Sequence, residues 1–339
     1  MHMSLRTGSW VVALVLALAG AAGGPAPAQR LDGFNIITTP GHAFGGASAA
    51  DALTRARRLG AAAVAVVPFL WQREPASPDI VRGSDMSDDE LRAAIRSARA
   101  LGFAVIVKPH VWVPTSWAGA VEPVTEAAWH GWFAHYREEL VRIAQISADE
   151  GADAVAIGTE LARTTRRPEW HDLIVAARAV FPRTLLYVAH NAEEAEAVPF
   201  WTELDMIGVT LYPALGADAD VAGRIAVMQA VGGRLDALAA RFGKPVVVAE
   251  IGLRSARDAA AKPWESAEER VATPDPRLQA EVLAEWLDAL HRPAIRGVLV
   301  WRWFTDPDAG GLLDTDFTVQ GKPAEAVLMC AWTGDCRRR

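Results

Sequence analysis

The stretch Asp153-Ala-Val-Ala-Ile-Gly-Thr-Glu160 decides the fold. It is small, branched and almost uncharged until its last residue, the pattern of a strand buried on both faces. Pro245-Val-Val-Val-Ala-Glu250 repeats it. Strands buried on both faces belong to parallel sheets covered by helices. A carboxylate at the carboxyl end of such a strand lies where barrel enzymes place their chemistry.

Outward from these two runs, strand-like and helix-like stretches alternate with a steady period. Strands are expected at 33–38, 62–68, 103–110, 153–160, 184–190, 204–212, 245–250 and 296–303. Helices are expected at 48–59, 87–101, 125–149, 168–181, 192–198, 220–242, 276–290 and 322–329. Ser48, the Ser87-Asp-Asp-Glu90 capping box and Thr125 are the predicted helix starts. Parallel strands need crossovers and these are helical, so the pattern predicts an α/β chain folded as one (β/α)8 TIM barrel. An open doubly wound sheet competes, but the first strand leads into Thr38-Thr-Pro-Gly-His42 rather than a Gly-rich phosphate turn. No GxxxxGK[ST] loop is present either.

The chain has 339 residues, about half hydrophobic, enough for one barrel of roughly 250 residues or more. A formal net charge of −7 argues against a nucleic-acid partner, which needs a basic face. Residues 1–28 read as a secretory signal: Arg6, an apolar run from Trp10 to Ala22, then Ala26-Pro-Ala28 before the cut. Residues 29–339 are then the mature domain, secreted or periplasmic. The apolar run is short for a membrane span, although a retained N-terminal anchor is the alternative, and no later segment is long and apolar enough to span. Cys330 and Cys336 are the two cysteines, and in an exported chain they are expected to form one local disulfide.

Side chains alternate along a strand, so parity sorts the candidates. Ala154, Ala156, Gly158 and Glu160 would share a face, as would Val246, Val248 and Glu250. Gly208, Thr210 and Tyr212 form a third set, Lys108 and His110 a fourth. Their polar members fall at C-terminal ends and would converge on one rim. Two such carboxylates can work as acid and nucleophile if one is kept protonated and the other ionised. Tyr212 is placed to hold Glu250. Retaining glycosidases separate the pair by about 5–5.5 Å and inverting ones by roughly 6.5–9.5 Å.

Four motifs carry a resemblance: Val155-Ala-Ile-Gly-Thr-Glu-Leu161, Ile207-Gly-Val-Thr-Leu-Tyr-Pro213, Val248-Ala-Glu-Ile-Gly252 and Val300-Trp-Arg-Trp-Phe304. Together with the barrel they resemble the retaining glycoside hydrolases of clan A, and more narrowly glycoside hydrolase family 113, over nearly the whole mature chain. The resemblance implies β-mannan-type hydrolysis with Glu160 as acid/base, Glu250 as nucleophile and Tyr212 as its partner. It implies neither cofactor nor metal. Many clan members carry Asn before the acid/base, at the sugar 2-hydroxyl, where this chain has Thr159. That contact is then expected from Lys108, His110 or Asn191.

Thirteen Trp against three Tyr suggest aromatic subsites. Trp301 and Trp303 share parity, and one of them, with Trp301 preferred, would floor the sugar site. Of the loop residues Trp71, Trp112 and Trp117 about half would line subsites, with Trp71 and Trp112 named for it, and Trp264 would cap the cleft. Trp129 and Trp132 are expected to pack. His190 is read equally as structural or as a sugar contact, and Asn35 and Asp306 are weaker candidates. The expected partner is a polysaccharide or oligosaccharide. Three other functions fit less well: a transglycosylase or hydrolase remodelling another bacterial envelope or exopolysaccharide β-glycan, a non-catalytic carbohydrate-binding barrel, and a metabolic barrel with a phosphate site.

Overall fold

A computed structural model describes residues 30–114, 116–216 and 220–336. The predicted signal segment lies outside these residues. Eight parallel strands close a barrel: β1 Gly33–Ile37, β2 Ala63–Val66, β3 Ala104–Val107, β4 Ala154–Thr159, β5 Thr184–His190, β6 Met206–Leu211, β7 Val246–Ile251 and β8 Ile295–Phe304. Each pairs with its neighbours in sequence, and β1 pairs with β8. The helices are α1 Ala47–Arg58, α2 Asp88–Ala100, α3 Glu126–Asp149, α4 Glu169–Val180, α5 Asn191–Ala197, α6 Val221–Phe242, α7 Pro276–Ala289 and α8 Ala324–Thr333. The predicted (β/α)8 barrel is therefore the fold. No described helix is long and apolar enough to cross a membrane.

Local chemistry sets the helix starts. Ser87 accepts from the Glu90 N–H while Glu90 accepts from that of Ser87, so the capping box closes. Thr125 caps α3 and Asp220 caps α6. The expected cap Ser48 is instead inside α1, which starts one residue earlier after Gly46 without a side-chain cap. Trp129 and Trp132 pack as expected, in an aromatic layer with Phe133, Tyr136 and Trp170. The disulfide Cys330–Cys336 closes the C-terminal turn.

The core divides in two. Ala63, Ala65, Ile106, Ala154, Ala156, Leu186, Val188, Val247, Ala249 and Leu299 fill the barrel interior. A larger apolar layer lies between strands and helices. The alternation holds through most strands but breaks at the two quoted at the outset. Val246 and Val248 face the helix layer, while Val247 and Ala249 face inward. A register shift between Val248 and Glu250, against β6, then turns Glu250 to the interior side. A second shift lies between Ala156 and Thr159, against β5. Gly158 consequently backs onto Trp170 and Tyr187 of the outer layer rather than sharing a face with Glu160. The expected parity is wrong on both strands, and it is the bulges that aim the carboxylates.

One piece of architecture was not predicted. Phe69–Trp71, Val81–Arg82 and His110–Trp112 form a small sheet above the barrel, the last of these pairing parallel with the first. It organises the loops after β2 and β3.

Candidate active site

Glu250 is the penultimate residue of β7, at the rim, and is almost fully buried. The ammonium of Lys108, itself fully buried, donates to its Oε1. The hydroxyl of Tyr212 donates to Oε2 at 3.0 Å. Burial and the Glu250 charge push the Tyr212 phenol well up, so it stays a donor. Both oxygens of Glu250 are thus held as acceptors, the setting of an ionised carboxylate. Asn35, buried in the interior, donates to the carbonyl of Ala249 at 2.8 Å and supports the bulge from below.

Glu160 follows β4 with a left-handed backbone, φ 57°. Its Oε1 meets two groups: Thr210 Oγ1 at 2.5 Å and His190 Nδ1 at 3.0 Å. Toward Oε2 stands His110 Nε2, 3.9 Å away. Burial raises this carboxyl, and the His190 hydrogen bond and charge, then His110 and Thr210, bring it down to about 2 so long as the two rings are cations; with neutral rings the larger part of that pull is gone. His110 is itself pushed down by burial and bonds the Val111 carbonyl through Nδ1, so its ring is neutral near pH 7. Thr210 is also the register partner of Glu250. One β6 residue therefore lies beside both carboxylates, which puts them on the same rim.

His190 is surrounded. Its backbone N–H donates to Glu194 Oε2 at 2.6 Å, and its ring lies 4.9 Å from that of Trp117. Tyr187 donates to the other oxygen of Glu194. Burial raises the Glu194 carboxyl to about 7.

Several expected sugar contacts are not free to make them. Lys108 is committed to Glu250. Asn191 is committed at both ends, accepting from the Tyr212 N–H at 2.8 Å and facing His190 Nε2 at 3.0 Å. Thr159 is buried and donates to the Pro109 carbonyl. Of the residues expected at the 2-hydroxyl, His110 alone keeps a ring nitrogen, Nε2, toward Glu160.

Trp301 and Trp303 do not share a side. Phe34 pairs with Val300 but Ile36 with Trp303, and the Trp301–Arg302 peptide is cis. Trp301 lies against the Lys108 ammonium, 5.3 Å from Nζ to the ring, on the site side. Trp303 is fully buried outside the barrel, against Phe34 and donating to Ala52 O at 3.1 Å, so it cannot be a sugar platform. Arg302 pairs with Asp316 and stacks on Phe304. Trp71 and Trp112 are exposed on the small sheet, ring centroids 6.2 Å apart. Trp264 is exposed on the loop after β7. That loop is tied to the one after β8: Arg254 donates to Thr315 O, and Lys322 to Ser255 Oγ and Asp314. Asp306 faces His42 at 3.8 Å. A separate pocket of about 270 Å³, lined by Arg30, Asp32, His291, Cys330 and Trp332 among others, contains none of the residues predicted to cleave or bind sugar.

Sequence reasoning put Thr210 among the polar residues converging on the rim without giving it a role, and missed Glu194 as a support of the carboxylate site. Thr210 carried a signal, since it shares the Gly208–Tyr212 face. Glu194 read only as part of an acidic helix.

A parallel (β/α)8 barrel with two glutamates converging at its C-terminal rim defines the class of barrel glycoside hydrolases. The model of Glycoside Hydrolase Family 113 matches residues 34–322, and the chain belongs to that family. Among solved structures, the family 113 β-mannanase of Alicyclobacillus acidocaldarius is similar at 22% identity with a TM-score of 0.81, covering 90% of this chain and 98% of that one. A family 113 β-1,4-mannanase in complex is similar at 24% identity and TM-score 0.79, covering 90% and 99%. A fungal β-1,4-galactanase shares the fold at 15% identity and TM-score 0.53, covering 83% and 90%. No curated protein sequence matches the chain.

Proposed function

We propose that the protein is a retaining β-glycosidase acting on a β-1,4-mannan-type polysaccharide or oligosaccharide. The observation that carries this reading is the opposite wiring of the two carboxylates. Glu250 has both oxygens fixed by donors, one of them a cation. Glu160 has one oxygen fixed by donors, while Oε2 meets only the distant His110 ring among the contacts described. The first is built to stay ionised and attack, the second to carry and release a proton. Glu250 attacks the anomeric carbon as the Glu160 proton passes to the leaving oxygen. Water then displaces Glu250 from the glycosyl–enzyme, giving its proton back to Glu160.

The assignment to mannan draws on the similar β-mannanases. His110 Nε2 is the group we assign to the sugar 2-hydroxyl, and Trp301 the floor of the sugar site. Trp117, and further out Trp71 and Trp112, would extend the cleft along a polymer. We also place the mature chain outside the cytosol, a reading supported by its disulfide.

The test is a reducing-sugar assay on manno-, gluco-, galacto- and xylo-configured β-glycans, with Glu160→Gln and Glu250→Gln beside the parent. Mannan cleavage that both substitutions abolish supports the reading. Equal rates in parent and both variants would refute the residue assignment, and no mannan cleavage would refute the substrate. Long products that appear only at high substrate would mark transglycosylation.

A further inference from the structure

The hydrogen bonds around His190 form a chain of donors whose direction is fixed at one end. The backbone N–H of Tyr212 can only donate, and it meets Asn191 Oδ1 at 2.8 Å. The side-chain amide of Asn191 is thereby oriented: its other end, Nδ2, can only donate. Nδ2 faces His190 Nε2 at 3.0 Å, so that nitrogen has to accept. A ring that accepts at Nε2 is neutral and carries its hydrogen on Nδ1. Nδ1 in turn meets Glu160 Oε1 at 3.0 Å, where Thr210 also donates.

Asn191 holds φ 56°, a left-handed conformation that Asn and Asp adopt more readily than other side-chain-bearing residues. It opens α5 directly after His190, and its side-chain amide meets the ring edge at Nε2.

We propose that Asn191 is a tautomer lock for the acid/base: by donating to Nε2 it keeps His190 a neutral Nδ1–H donor, and so leaves the exchangeable proton of Glu160 on Oε2. This rests on Glu160 being the acid/base. With Oε1 saturated by two donors, Oε2 is the one place for that proton. The consequence is a carboxyl that can be both hydrogen-bonded and protonated. An imidazolium in the same place would keep it ionised and useless as an acid.

The charges around the ring pull the other way. Burial disfavours the imidazolium, while Glu160, Glu194 and Glu250 favour it and on balance raise His190. Glu194, raised to about 7, loses much of its charge near neutrality and weakens that pull. Lys108 and the neutral His110 stand on the far side, against the two catalytic carboxylates. The Asn191 amide decides the balance because protonating Nε2 would set one N–H against another, and turning the amide would do the same to Tyr212.

The experiment has two arms. The first uses ¹⁵N-histidine-labelled parent enzyme, with His190 assigned from His190→Asn. A pyridine-type Nε2 and a pyrrole-type Nδ1 are expected at the pH of activity. Two protonated nitrogens there would overturn the proposal, whatever the enzyme cleaves. The second uses Asn191→Asp, which keeps the Tyr212 contact but accepts from Nε2–H. The ring then becomes an imidazolium, and the nearer cation outweighs the added carboxylate. The basic limb of kcat/KM should move to lower pH by about one unit or more, roughly tenfold less acid form at a fixed pH. Cleavage of a dinitrophenyl glycoside, whose leaving group needs no proton, should change little. An unmoved basic limb with Glu160→Gln inactive overturns the lock alone; an active Glu160→Gln overturns the acid/base assignment beneath it.

Discussion

Replacing Lys108 by Met tests how the nucleophile candidate is held. Met keeps most of the unbranched stem and removes the ammonium. Lys108 is fully buried and the Glu250 side chain is 5% exposed, so the charge left behind has little water to turn to. At hydrogen-bond contact of about 3 Å and an effective dielectric of about 20, the attraction is on the order of 5 kcal/mol. Removing one partner of a buried pair costs about 3–5 kcal/mol in measured cases, the same range. Tyr212 remains as a donor and offsets part of the loss. Lys108→Met is therefore expected to lose about 3 kcal/mol or more, against a total stability of about 5–15 kcal/mol for a domain. At about 2 °C per kcal/mol for a large domain, the midpoint should fall by roughly 6 °C. The assay is denaturant and thermal unfolding of parent, Lys108→Met, Glu250→Gln and the double variant. The double variant should regain most of the loss, because no charge is then stranded, giving a coupling of about 3 kcal/mol. A single variant within about 0.5 kcal/mol of the parent, or a double variant no more stable than Lys108→Met, would refute the argument.

Tyr212→Phe removes one charge-assisted hydrogen bond of about 1.5–3 kcal/mol from Glu250, so kcat/KM should fall roughly 10- to 150-fold in steady-state kinetics. Glu194 predicts a pH signature. Its folded value, about 7, lies above the unfolded one, so the native state holds the extra proton and stability falls as pH rises from about 4.5 to about 7. The size is on the order of 3 kcal/mol, and Glu194→Gln should flatten it when unfolding is followed across that range. Gln can still accept from the His190 N–H and donate to Tyr187. Replacing Cys330 and Cys336 by Ser opens a six-residue loop, worth roughly 2 kcal/mol on chain entropy, and the tail bearing Trp332, edge-on to Phe34 at 5.0 Å, should lose exchange protection first.

Much of this was legible because it is local or periodic. The eight apolar runs, the capping box at Ser87, Tyr212 beside Glu250 and the paired cysteines all follow from spacing and residue type. Trp303 shows where that stops. It shares nominal parity with Trp301, yet the irregular pairing of β8 with β1 sends it to the helix layer. Bulges leave no mark in a run such as Val-Val-Val-Ala-Glu, so the expected common face of Val246, Val248 and Glu250 does not exist: the two valines face the helix layer and Glu250 the interior side. Lys108 shows the other boundary. Period two puts it inside, but its partner is 142 residues away, and no local pattern names it.

A physical reason for the lysine was nonetheless present in the sequence. A fully buried lysine needs room for four methylenes as well as a charge to meet. The strands on either side of β3 present alanine inward, Ala63 and Ala65 on β2, Ala154 and Ala156 on β4. Interiors are close-packed, so a row of small residues on both neighbours of one strand implies something long between them. In a barrel whose rim carries Glu250, the long residue on that strand with the opposite charge is Lys108. Val107 pairs with Val155, so Lys108 stands level with Ala156, and enlarging Ala156 to Leu should displace the ammonium before it disturbs the barrel, lowering turnover in a reducing-sugar assay while most of the fold's stability is kept. Ala65 is level with Ile106, and the same change there should leave the ammonium in place.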